Sequence, residues 1–120
     1  MSTGTEPKLI AARLRRLFAG HDGGDPGLTA ARLGVDEVAL RTSVDELAPH
    51  PTIEVLIAVV RHYGVDPQWL VTGEYSAAVH HRALGADGPP SDHEISRLIA
   101  NSMLGIEPAL SDLHLRELTD

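Results

Sequence analysis

The sequence contains no cysteine, which excludes a disulfide framework, a thiolate zinc site and a thiol nucleophile. Only Phe18, Tyr63, Trp69 and Tyr75 are aromatic, so a core has to be built mostly from Leu, Ile, Val and Ala. No stretch approaches the roughly 18 apolar residues of a membrane span. The N-terminus carries no apolar signal region, so the expectation is a soluble, cytoplasmic protein. Basic charge is scarce as well: ten Lys and Arg stand against seventeen Asp and Glu, a formal net charge of −7. Residues 8–75 hold seven Lys/Arg and nine Asp/Glu, and residues 76–120 hold three and seven. The acidity is concentrated towards the end, yet the first part lacks the basic footprint usual in nucleic-acid binders.

What is present is a succession of helix signals. An apolar fraction of 42% over 120 residues suits one helical domain, or a small domain with an appendage. Residues 1–7 read as a flexible polar arm. A first helix is expected from Lys8 to about Gly20, with Ile10, Leu14, Leu17 and Phe18 on one face. The glycine-rich run from His21 to Gly27 reads as a lengthened connection. No strand signal precedes it and no Lys-Ser/Thr follows, which argues against a phosphate-cradling nucleotide loop. Asp25 caps and Pro26 starts a second helix ending at Gly34, and Asp36 caps a third expected over 36–47.

Residues 51–74 are the most informative stretch. Thr52 offers an N-cap, and Ile53, Leu56, Ile57, Val60 and Tyr63 share one face at helical spacing. Gly64 follows the last apolar turn, where a left-handed stop suits glycine. Asp66-Pro67 opens another helix with Trp69 and Leu70 as anchors, and Thr72-Gly73-Glu74 closes it. A helix is expected to continue from Tyr75 to Leu84.

This block closely resembles the last two core helices of the Cro and lambda-repressor type of helix-turn-helix domain, the XRE family. There a proline-led helix ends in Gly-Val, followed by Asp-Pro, Trp-Leu and Thr-Gly-Glu. The run Ala-Arg-Leu-Arg-Arg-Leu at 12–17 is similar to the family's opening helix. The resemblance implies an all-α fold: a five-helix lambda-repressor-like domain over 8–84, followed by a C-terminal helical element. It implies a sequence-specific transcriptional regulator that binds double-stranded DNA, with helix 36–47 in the major groove. Glu37, Val38, Arg41 and Thr42 would then read bases, Arg41 bridging a guanine, Glu37 accepting from a cytosine amine and Val38 touching a thymine methyl. Lys8, Arg15, Arg16 and Arg32 are the phosphate candidates. By the same analogy Arg13 pairs with Asp45 or Glu46. Two departures stand out: Ser43 replaces a usual isoleucine, and the connection to Pro51 is longer, so the third helix is expected to be shifted or extended. Asp45 and Glu46 also put carboxylates in the loop where the family is rich in Lys and Arg, and Asp36 and Glu37 add negative charge at the reading end. The alternative is therefore an acidic helix-turn-helix protein that binds another protein, antirepressor- or antitoxin-like, and not DNA.

Gly85–Pro90 reads as a linker to a C-terminal element at 91–120. Ser91 and Glu94 form a capping box. Ile95, Leu98, Ile99, Met103 and Leu104 continue as an apolar stripe, and Ile106, Leu110 and Leu113 extend it. So many apolar residues need cover. Two-fold DNA sites call for dimeric readers, so a homodimer interface is the expectation, and packing back on the first domain is the other option. A reader followed by a helical dimerisation element is also similar in layout to one type of mycobacterial regulator. The seven histidines show no metal-ligand spacing: His80 and His81 are adjacent and diverge by about 100° on a helix. No catalytic constellation, metal site or cofactor is expected.

Overall fold

Helix boundaries in this chain are set by capping side chains and by glycine. A computed structural model of the protein describes residues 5–85, 88 and 90–104. Among them lie seven helices and no strand. α1 spans Pro7–Asp22, α2 Pro26–Leu33, α3 Glu37–Ser43, α4 Ile53–Tyr63, α5 Pro67–Thr72, α6 Ala77–Ala83 and α7 Asp92–Leu104. Asp25, Asp36, Thr52, Asp66 and Ser76 each turn a side-chain oxygen onto backbone N–H groups in the first turn of the helix that follows. Those donors have no partner inside the helix. Ser91 does the same for α7, accepting from the Glu94 N–H at 3.2 Å.

Three spans differ from expectation, the smallest change being in α6, expected from Tyr75, which starts at Ala77 behind the Ser76 cap. α1 runs on through His21 and Asp22 before Gly23 ends it at φ 68°, so the connection to α2 is short. His21 supports this last turn by stacking on Tyr63, with ring centroids 4.1 Å apart and planes within 6°. α3, expected over 36–47, is shorter and stops at Ser43. The fully buried Ser43 hydroxyl donates to the Ala39 carbonyl at 2.8 Å and accepts from the Thr52 N–H at 3.2 Å. It thereby ties the end of α3 to the start of α4. Asp45 then accepts from the Leu47 and Ala48 N–H groups at 3.1 and 2.7 Å, a local bond that competes with another helical turn.

All seven helices contribute to one apolar core. α4 buries Val55, Leu56, Ala58, Val59 and Val60 and leaves Ile53 47% exposed, a face rotated from the expected stripe. The reason is double cover: α4 meets α2 and α3 and also α7. α7 packs chiefly on α5 and touches α6 as well. Ile95, Leu98 and Ile99, expected at a dimer interface, are instead buried in the chain's own core. Residues 92–104 thus pack on the same core as the helices before them. Docking on the same chain through so short a connection avoids the loss of translational freedom that association carries. Arg61 fixes the entry to α7, donating to the Pro90 carbonyl at 3.0 Å and pairing with Asp92 at 2.5 Å. Both side chains are exposed, so this pair contributes at most about 1 kcal/mol and the apolar contacts dominate.

Met103 and Leu104 of the expected interface remain exposed. Ile106, Leu110 and Leu113 lie outside the described residues, as do residues 1–4 of the expected arm. No helix among the described residues is long and apolar enough to cross a membrane.

The burial pattern makes Ile95→Ala costly. It should lower the unfolding free energy by about 2–5 kcal/mol, whereas Leu104→Ala should stay within about 0.5 kcal/mol at a concentration where the chain is monomeric. Denaturant unfolding at two protein concentrations checks this; a loss for Ile95→Ala that appears only at the higher concentration would contradict it.

Candidate nucleic-acid interface

α2 and α3 are joined by Gly34, Val35 and Asp36. Gly34 takes φ 70°, a left-handed value that glycine adopts without steric cost. The Val35 N–H closes on the Ala30 carbonyl at 3.1 Å, and Asp36 accepts from the Ala39 N–H at 3.1 Å. The side chains of Leu40 and Ser43 form the buried side of α3. With those two turned inward, Glu37, Val38, Arg41 and Thr42 are all exposed, Val38 at 69%.

Two of the four base-reading candidates are brought together. Arg41 Nε donates to Glu37 Oε2 at 2.8 Å, an exposed i, i+4 pair that stabilises by only about 0.3–0.5 kcal/mol. The other carboxylate oxygen, Oε1, lies over α2: a Cβ on Gly27 would stand 3.1 Å from it and 3.6 Å from Asp25 Oδ1. Asp25 Oδ1 itself accepts from the Gly27 and Leu28 N–H groups at 3.0 and 3.5 Å. Two carboxylates therefore converge on the first turn of α2. Sequence reasoning missed this, because Gly27 and Glu37 meet only through the packing of α2 on α3. From Asp36 to Glu46 the exposed surface carries four carboxylates and one guanidinium.

The phosphate candidates divide. Lys8 and Arg16 are exposed on α1 and Arg32 is exposed on α2. Arg15 differs from the other three: it is half-buried, and its Nη1 donates to the carbonyl of Val44, the residue that ends α3, at 2.8 Å. A cation there meets the negative end of the helix dipole, so Arg15 fastens α3 to α1. Arg13, expected beside Asp45 or Glu46, donates to the Leu70 carbonyl of α5 at 2.9 Å. Its guanidinium crosses Gly73, where a Cβ would come within 2.8 Å of Nη2 and where φ is 86°. The glycine of Thr72-Gly73-Glu74 is therefore required twice, by the turn and by the arginine. Burial draws the Arg13 guanidinium below its ordinary pKa, and arginine nonetheless stays charged at physiological pH.

Away from α3 lies an open cleft of about 320 Å³ lined by Gly64, Val65, Asp66, Trp69, Tyr75 and His80. His80 Nε2 donates to the Gly64 carbonyl at 2.7 Å, so in the neutral ring Nδ1 accepts from the Tyr75 hydroxyl at 2.9 Å. The buried Asp66 carboxylate accepts from the Gln68, Trp69 and Ser76 N–H groups. These polar side chains are engaged in holding α4, α5 and α6 together. Among the described residues no three His, Asp or Glu gather in a way that could hold a metal ion. No protein-family model, curated protein or solved structure matches the chain.

Replacing Arg15 by Met should cost about 1.5–3 kcal/mol of stability, the range for a hydrogen bond made by a charged group. Chemical denaturation reads this directly. An arginine kept only for phosphate contact would leave stability within about 0.5 kcal/mol of wild type.

Proposed function

We propose that this chain is a DNA-binding transcriptional regulator of the Cro and lambda-repressor helix-turn-helix type, acting as a homodimer with α3 in the major groove. One observation carries the reading: α2 and α3 pack across a three-residue turn with α3 capped, buried on one side and exposed along Val38, Arg41 and Thr42. A guanidinium suits the O6 and N7 acceptors of guanine, and an exposed valine suits a thymine methyl. Lys8, Arg16 and Arg32 supply the phosphate contacts that set orientation without reading sequence. Dimer contacts form around Met103 and Leu104, which are 46% and 74% exposed at the end of α7.

The charge of the reading face favours a second reading. Four carboxylates against one guanidinium oppose phosphate neutralisation, which dominates DNA affinity. The same fold would then present an acidic surface to a basic protein partner.

Titration of the full chain with a pool of random-sequence DNA duplexes, and with the sequence enriched from that pool, separates the two. The first reading expects binding that weakens steeply as salt rises and a solution mass of two chains. It also expects Arg41→Ala to cost about 1–3 kcal/mol on the enriched sequence. A flat titration at low salt would leave the protein-binding reading.

A further inference from the structure

One oxygen of the Glu37 carboxylate is taken by Arg41 and the other faces the start of α2, neither of them an arrangement that a base-reading glutamate needs. Oε2 accepts from Arg41 Nε at 2.8 Å, and Oε1 lies over Gly27 at the first turn of α2, close to the Asp25 carboxylate. From these contacts we infer that Glu37 sets the specificity of the DNA binding proposed above: it positions Arg41 and repels phosphate, and it does not read a base itself. The inference rests on the DNA reading.

The chemistry of the pair supports this division of labour. Guanidinium has five N–H donors in a planar fork. With Nε held by Glu37, the terminal Nη1 and Nη2 groups remain to meet a bidentate acceptor, and O6 and N7 of guanine are such a pair. The carboxylate also cancels much of the Arg41 charge, so its attraction to any phosphate, the sequence-independent part of the affinity, falls. Directional hydrogen bonds to a base edge lose less. At α2, Glu37 lies beside Gly27, whose N–H is bonded to Asp25, and like charge disfavours a phosphate approaching there. Asp36, exposed one residue before Glu37, adds to the same field. Specificity is a difference of affinities, and a repulsive element raises it by weakening the wrong complexes more than the right one. On this account the acidic face lowers non-specific binding and leaves recognition to Arg41.

The sign of one substitution tests the inference. In the full chain, Glu37→Gln keeps the shape of the side chain and removes its charge. It should bind a random-sequence duplex pool about tenfold more tightly at low salt. Preference for the sequence enriched by the wild type should fall by a similar factor. Glu37→Asp keeps the charge but withdraws it by one methylene from Arg41; it should leave random-pool binding weak while losing preference. Melting temperatures should stay within a few degrees of wild type for both variants. If Glu37→Gln instead leaves the random pool unchanged and loses only the enriched sequence, Glu37 reads a base and the inference is overturned. If neither wild type nor Glu37→Gln binds any duplex, the DNA reading itself fails and takes the inference with it.

Discussion

A six-residue helix held at both ends by charge is the constraint on which the rest of this structure depends. α5 is too short to persist alone in water. At its start the buried Asp66 carboxylate accepts from Gln68 and Trp69 within the helix and from Ser76 beyond it. At its end Arg13 holds the Leu70 carbonyl. Between them Leu70 and Val71 are fully buried, and α1, α6 and α7 all pack on this segment. Loss of either charged group would leave backbone polar atoms buried without partners, which costs about 1–3 kcal/mol each, and would loosen three neighbours at once.

The same helix that clasps α5 also orients the candidate interface. Arg13 and Arg15 lie two residues apart on α1, yet one reaches α5 and the other the end of α3. The core around α5 and the exposed face of α3 are thus coupled through one rigid element. Ser43 adds a second tie, bridging α3 to the entry of α4. The outer residues of α3 stand on a short helix fixed at its far end by a guanidinium and a buried hydroxyl.

Charge and burial divide this surface in two ways. Residues at 36–46 are acidic and exposed, but their carboxylates have different duties. Asp36 closes the start of α3 and Asp45 closes the turn that ends it. Glu37 alone contacts the one cation of that face. The caps keep their charge, so of the four carboxylates only Glu37 has its charge offset by a cation within 36–46.

Much of the helix architecture was legible residue by residue. Thr52, Asp66 and Ser91 cap helices where their short polar side chains reach backbone donors two or three residues on, and Gly64 and Gly73 stop helices at left-handed turns. These are local effects, settled by a few neighbouring residues. The periodicity of 95–104 likewise reported an apolar stripe, but could not say what covers it, because own-chain and partner cover bury the same side chains. Docking on α5 decided that for Ile95, Leu98 and Ile99. Ser43 and Asp45 shortened α3 through bonds to Thr52, Leu47 and Ala48 that helical spacing does not encode. Arg15, chosen for phosphate by charge alone, was drawn to a carbonyl 29 positions away, and Glu37 came over Gly27 only when α2 packed on α3. Where α2, α3, α4, α5 and α7 begin, and which residues are apolar, followed from the sequence by itself. Which face each helix buries, and whether a charged side chain meets solvent or a helix end, was decided by the tertiary structure, since those choices depend on atoms distant in the chain.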